Sequence, residues 1–107
     1  MARRPVFVVL IRSPRPDFTR ENMTPEESAA MQAHVAYQGQ LRAEKKLILS
    51  GPCLDGAFGM GLIEAESAEE MRQIMERDPA VTSGIMTAEW HQFLLGPIRV
   101  PEDEPAA

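Results

Sequence analysis

The apolar run at residues 6–11 (VFVVLI) constrains the fold of this chain more than any other feature. It is rich in Val, Ile and Phe, and this composition predicts a strand over residues 5–12. Successive side chains of a strand point to opposite faces, so each face carries three apolar side chains: Val6, Val8 and Leu10 on one, Phe7, Val9 and Ile11 on the other. Both faces of this strand must therefore be covered.

Clear helix signals follow the strand and a polar loop at residues 13–24. Thr24 is placed to cap a helix, Pro25 suits the first helical position, and Glu27 completes a capping box. This helix is predicted to run to about Lys45. Each residue advances by 100° around the helix axis, so five side chains fall on one stripe that should face the sheet: Ala30, Ala33, His34, Tyr37 and Leu41.

The second half of the chain repeats the order of strands and helix. Strands are predicted over residues 47–54, 58–65 and 85–94, with a turn at Asp55-Gly56 between the first two. Ser67 and Glu70 form a second capping box, and Pro79 is predicted to stop the helix that they open. Four residues form the apolar face of that helix: Ala68, Met71, Ile74 and Met75. Asp78 would continue the same face.

The element order β-α-β-β-α-β predicts an α+β, ferredoxin-like fold, with a four-stranded antiparallel sheet and two helices on one face. With 107 residues the chain forms one domain, predicted over residues 1–98, and residues 99–107 are predicted to be a flexible tail. Helices on one face leave the second face of the first strand bare, which favours a homodimer through the sheet. The alternative is a monomer in which the 13–24 loop and the tail shield that face.

Composition narrows the possible partners. The net charge of -5 argues against nucleic acid, which needs a concentrated basic surface. No apolar run approaches the length of a membrane span. With Cys53 as its single cysteine the chain has no internal disulfide, so a cytoplasmic location is expected.

His34 and Asp78 are the most informative polar residues, because both lie on helix faces that should be buried. His34 fits either a core histidine or a general acid or base, since imidazole titrates near neutral pH. Asp78 fits either a helix terminator or a carboxylate that reaches His34 and fixes its tautomer. Spacing alone leaves both alternatives open.

No metal or cofactor is predicted. The two histidines and Cys53 lack metal-ligand spacing, and no Gly-rich turn opens a helix as in nucleotide sites. Ser50 precedes Gly51-Pro52 at a strand end without a nucleophile-elbow pattern, and it is interpreted as a pocket-lining or structural hydroxyl.

Several short motifs, in this order and spacing, resemble the YciI-like (YCII-related) family. They are HVAY at residues 34–37, LILSGP at 47–52, LDG at 54–56 and Asp78-Pro79. The resemblance implies a dimeric α+β barrel and a pocket with a characteristic histidine and aspartate, which correspond to His34 and Asp78. Some members of this family are lyases or dehydrochlorinases in the breakdown of chlorinated aromatics, and most have no assigned reaction.

Three functions are compatible with these residues. The first is a cofactor-independent isomerase or lyase that acts on a small cyclic or aromatic acid through His34 and Asp78. Arg12 would receive an anionic group of this substrate, and apolar walls would come from Phe18, Tyr37 and Trp90, each of which fits the core equally well. The second is a non-catalytic module for small-molecule binding or assembly, and the third is a cofactor-independent oxygenase.

Overall fold

The computed structural model of the chain describes residues 4–101 as one four-stranded sheet with helices on one face. The elements in chain order are β1 (Val6–Arg12), α1 (Pro25–Ala43), β2 (Leu47–Pro52), β3 (Gly59–Glu64), α2 (Ala68–Glu76), α3 (Pro79–Thr82) and β4 (Thr87–Phe93). The strand order is β2-β3-β1-β4, and every neighbouring pair is antiparallel. The predicted ferredoxin-like α+β fold is confirmed.

The core lies between the sheet and the helices. Phe7 and Val9 project into it from β1, whereas Met71, Ile74 and Met75 of the predicted stripe enter it from α2. Ala68, the fourth residue of that stripe, is exposed at the start of the helix. Met71 is fully buried, and the side chain of a core methionine fills irregular space between larger neighbours.

Helix α1 is packed more loosely than α2. Both bonds of its predicted capping box are present, since Thr24 accepts from the Glu27 backbone and the Glu27 side chain accepts from the Thr24 backbone. Only Glu27, His34 and Leu41 are buried along the helix, at intervals of seven residues or two turns. Ala33, which was predicted to face the sheet, is exposed. The helix therefore touches the rest of the fold along a narrow line, with space beside it.

The end of α2 differs from the prediction. The helix stops at Glu76, and Pro79 then opens the short helix α3 instead of merely ending α2. Asp78 caps α3, because its carboxylate accepts the backbone N–H of Ala80 at 2.9 Å. Proline suits this first helical position, where its missing N–H has no helical partner to lose. The break turns the Asp78 carboxylate into the interior, where it is 4% exposed.

The sheet face that points away from the helices is apolar along its centre. Val6 and Leu62 are buried there, whereas Val8 and Leu10 are partly exposed and Leu49 and Met60 are exposed. The C-terminal segment does not pack as a cover, since Leu94, Ile98 and Val100 are exposed. Of the predicted tail at residues 99–107, the part from 102 onward lies outside the described residues, and the domain limit at 98 stays a prediction.

Within residues 4–101, no helix combines the length and apolar character that crossing a membrane requires.

Replacing Met71 by Ala should lower the free energy of unfolding by about 2–5 kcal/mol, because the side chain is fully buried and its loss leaves a cavity. Leu54→Ala is the matched control, since Leu54 is 88% exposed and its replacement should change stability by less than about 0.5 kcal/mol. Urea denaturation followed by circular dichroism measures both values. Equal losses in the two variants would contradict the assigned core.

Candidate functional site

A cavity of about 570 Å³ lies between α1 and the sheet, beside the loosely packed face of that helix. Its wall is mostly apolar and includes Ile11 of β1, Leu47 of β2 and Met31 of α1. Gly59 and Gly61 of β3 also line it. A side chain at Gly59 would approach Ile11 to 3.1 Å, so this glycine lets Ile11 pack closely over the strand. A volume of this size fits a small organic molecule.

His34 and Asp78 meet on the wall of this cavity. The imidazole Nδ1 lies 2.9 Å from Asp78 Oδ1 and 2.8 Å from Oδ2, and both residues line the cavity wall. Their exposures are 6% and 4%. The two residues are 44 positions apart, and the contact of α1 with α3 brings them together. The predicted pairing of these two side chains is therefore present in the structure.

The pair determines which imidazole nitrogen faces the cavity. An ionised carboxylate only accepts hydrogen bonds. The proton of the neutral imidazole is therefore on Nδ1, which donates a hydrogen bond to Asp78. Nε2 has no hydrogen-bond partner among residues 4–101, and no fully buried side-chain nitrogen or oxygen there lacks one. Nε2 is therefore open to the cavity, and in neutral imidazole it carries the free lone pair. This nitrogen is available to take a proton from a bound molecule.

Tyr37 lies one turn after His34 and has a different task from the imidazole. Its hydroxyl donates a 2.7 Å hydrogen bond to the carbonyl of Ile74, which ties α1 to α2. Burial raises the pKa of the Tyr37 hydroxyl, and the nearby Asp78 carboxylate adds to the increase. The phenol thus stays protonated, and its ring serves as part of the cavity wall.

The 13–24 loop contributes Phe18, Arg20 and Met23 to the cavity wall and is held by Arg15. The Arg15 guanidinium forms two parallel bonds to the buried Glu27 carboxylate, of 3.0 Å from Nε and 2.8 Å from Nη2. It also donates to Asp17 and Asn22 within the loop, and lies 5.4 Å from the centre of the Phe18 ring. This clamp joins the loop to the first turn of α1.

The clamp alters the titration of Glu27. Hydrogen bonds from Arg15, followed by the backbone N–H of Thr24, lower the pKa of the Glu27 carboxyl to about 2. Sequence reasoning predicted Glu27 as a cap but did not connect it to Arg15. No local signal in the sequence could reveal the pair, because it depends on the path of the loop.

The other predicted site residues fall into two groups. Arg12, Phe18 and Tyr37 line the cavity as expected. Arg12 is also ion-paired with Glu89 and lies 5.5 Å from the centre of the Phe58 ring. Ser50 and Trp90 do not reach the wall: Ser50 is exposed on β2, and Trp90 packs against the core from β4. Sequence reasoning missed one charged residue of the wall, Arg20.

Within the described residues, no three His, Cys, Asp or Glu side chains gather closely enough to hold a metal ion.

The model of the YCII-related domain matches residues 6–89, so this chain belongs to that family. An uncharacterized protein of Bacillus subtilis (strain 168), YjpA, is 43% identical over 51 residues, which are 48% of this chain. The match spans 60% of the length of that relative. Among solved structures, 5-chloro-2-hydroxyhydroquinone dehydrochlorinase (TftG) of Burkholderia phenoliruptrix AC1100, in complex with 2,5-dihydroxybenzoquinone, has a TM-score of 0.59. It is 23% identical, and the alignment covers 84% of this chain and 95% of TftG, which shows a shared fold.

Carboxyl-detected NMR titration should find a pKa of about 2 for Glu27, well below the ordinary value of 4.5, and Arg15→Gln should raise it towards that value. A lowered pKa in the folded state means that the ionised pair stabilises the fold fully above about pH 4.5. This contribution is lost as the pH falls through 2.

Arg42→Gln is the control for this titration, because Arg42 lies in the last turn of α1, at the opposite end from Glu27. It should leave the Glu27 pKa unchanged. A Glu27 carboxyl that titrates at its ordinary value in the wild-type protein would show that the clamp is absent in solution.

Proposed function

We propose that this chain is a cofactor-independent enzyme in which the His34–Asp78 pair transfers protons during isomerisation or elimination on a small cyclic or aromatic acid. One observation carries the proposal: Asp78 holds Nδ1, and Nε2 is left open to a largely apolar cavity. A histidine with only a packing role would have its second nitrogen enclosed by neighbouring side chains instead of facing a cavity.

The chemistry follows from the two nitrogens. Nε2 takes a proton from a substrate carbon next to a carbonyl, and Asp78 stabilises the imidazolium that forms. In an elimination, the electrons of the broken C–H bond form a double bond while the leaving group departs with its own electron pair. In an isomerisation, the imidazolium returns the proton to a different carbon.

The cavity supports a ring-shaped substrate. Phe18, Tyr37 and Ile11 provide apolar surface in the same cavity as the buried pair, and apolar walls exclude water that would compete for the proton. TftG has the same fold and is named for a dehydrochlorination, an elimination of the proposed class. Its substrate is therefore a reasonable first compound for this chain, although shared fold alone does not assign a reaction.

His34→Gln should lower turnover by about 10²–10⁴-fold, because glutamine cannot take the proton. The measurements are chloride release from 5-chloro-2-hydroxyhydroquinone and uptake of solvent deuterium by a panel of small cyclic and aromatic acids. Arg42→Gln is the control, since Arg42 is exposed in the last turn of α1 and lies outside the cavity wall. A folded His34→Gln protein with wild-type turnover would exclude the mechanism.

A non-catalytic module is the second candidate, and one observation favours it. Asp78 caps α3 as well as binding His34, so the pair could serve stability alone. Asp78→Asn separates the two functions, because asparagine still caps through its side-chain oxygen but no longer selects the Nδ1–H tautomer. Loss of turnover in a stable Asp78→Asn protein supports the enzyme, whereas loss of stability without any change in turnover supports the module.

We also propose that two copies associate through the free sheet face. The 13–24 loop, one of the two possible covers within the chain, lies on the cavity side of the sheet, and the described part of the tail is exposed. Val8, Leu10 and Leu49 thus form an apolar surface without a cover from residues 4–101. Apolar surface of this kind is typical of homodimer interfaces. A cytoplasmic location remains a prediction from the composition.

Light scattering should give a mass of about twice the 11.9 kDa of one chain. Val8→Asp should shift the mass towards one chain, because it places a charge at the centre of the free face. Leu54→Asp is the control, since Leu54 is exposed in the β2–β3 turn, and it should leave the mass unchanged. A wild-type mass of one chain at micromolar concentration would contradict the dimer.

A further inference from the structure

The charges on the cavity wall are unequally neutralised. Among the described residues, the acidic and basic side chains that line the cavity are Arg12, Arg20, His34 and Asp78; the other titratable groups of its wall are the phenol of Tyr37 and the thiol of Cys53. Asp78 is paired with His34, and Arg12 with Glu89. Arg20 has no hydrogen bond or ion pair to its guanidinium within residues 4–101, unlike Arg15, whose donors are occupied by Glu27, Asp17 and Asn22.

We propose that Arg20 is the residue that binds the anionic group of the substrate, and that this group is a carboxylate on a flat apolar body. A guanidinium donates two parallel hydrogen bonds that match the two oxygens of a carboxylate. This role rests on the proposed function, since it places the substrate in the His34 cavity. It also differs from the sequence-based prediction, which assigned the anion to Arg12.

The loop presents Arg20 in a defined position. The backbone N–H of Asn22 donates to the carbonyl of Thr19 at 3.3 Å, and the Asn22 side chain accepts from the Thr19 N–H at 2.8 Å. The Asn22 amide also donates to the Asp17 carbonyl. Arg20 therefore stands on a closed turn that the Arg15–Glu27 clamp attaches to α1. Such preorganisation reduces the entropy cost of binding.

The same loop rests on the β2–β3 turn. A side chain at Gly56, where φ is +80°, would approach the Phe18 carbonyl to 3.0 Å, so this glycine permits the contact. Phe18 and Arg20 thus reach the cavity from one supported segment, with an apolar ring and a cation two residues apart. An aromatic carboxylate has the same two chemical features and is complementary to them.

Titration with sodium benzoate and with neutral benzamide tests this role without any turnover. Amide shifts of cavity residues such as Tyr37 and Gly61 in ¹H–¹⁵N NMR spectra report binding. The wild-type protein should bind benzoate about three- to tenfold more tightly than benzamide, and Arg20→Gln should abolish that preference while leaving benzamide affinity unchanged. Arg20→Lys should retain part of it, because lysine keeps the charge without the planar fork.

Two further arginine variants make the result specific. Arg42→Gln removes the same charge from α1 at a position outside the cavity wall and should keep the benzoate preference. Arg12→Gln should also keep it. The role of Arg20 is excluded if the wild-type protein shows no benzoate preference, if Arg20→Gln keeps the preference, or if Arg42→Gln or Arg12→Gln loses it equally.

The proposed function and the role of Arg20 can fail separately. His34→Gln removes the proposed base but should leave the ratio of benzoate to benzamide affinity intact. If His34→Gln retains turnover while the carboxylate preference depends on Arg20, the proposed mechanism is excluded and the role of Arg20 stands. Loss of preference only in His34→Gln would instead assign anion binding to the imidazole and overturn the role of Arg20.

Discussion

The buried Asp78 carboxylate is the constraint on which the candidate site depends. A carboxylate at 4% exposure is costly unless donors satisfy it, and here the backbone N–H of Ala80 and the Nδ1–H of His34 do so. The same two bonds begin α3 and orient the imidazole. One side chain therefore connects the local course of the backbone to the chemistry of the cavity, and the free Nε2 results from that connection.

The cavity exists because α1 is buried at few positions. Close packing along the whole helix would fill the space beside His34, whereas contacts two turns apart leave it open. The Arg15–Glu27 clamp then holds the 13–24 loop beside it, so that Phe18 and Arg20 contribute to the wall. The buried carboxylates of Asp78 and Glu27 thus have parallel tasks: one orients the imidazole, and the other positions the loop.

Sequence reasoning succeeded where the controlling physics is local or periodic. Capping chemistry predicted the start of α1 at Pro25, and helical periodicity placed His34 on an inward face. Asp78 is also buried, but the break before α3 directs its carboxylate inward, not the period of α2. It failed where a contact joins distant segments through an irregular path. The Arg15–Glu27 pair, the restart of the helix at Pro79 and the position of Arg20 all depend on loop geometry, for which a single sequence carries no period. Periodicity also could not distinguish Trp90 in the core from Phe18 on the cavity wall.

The sequence by itself therefore determined the order of the main strands and helices, the doubly apolar character of β1 and the inward direction of His34. Each follows from hydrogen bonding and side-chain spacing within a few neighbouring residues. Only the tertiary structure decided that His34 and Asp78 touch, that Nε2 opens to a cavity and that Arg20 on its wall has no hydrogen-bond or ion-pair partner within residues 4–101. Those properties arise from the packing of α1 against α3 and of the loop across the sheet, and packing sets distances that spacing along a chain does not specify.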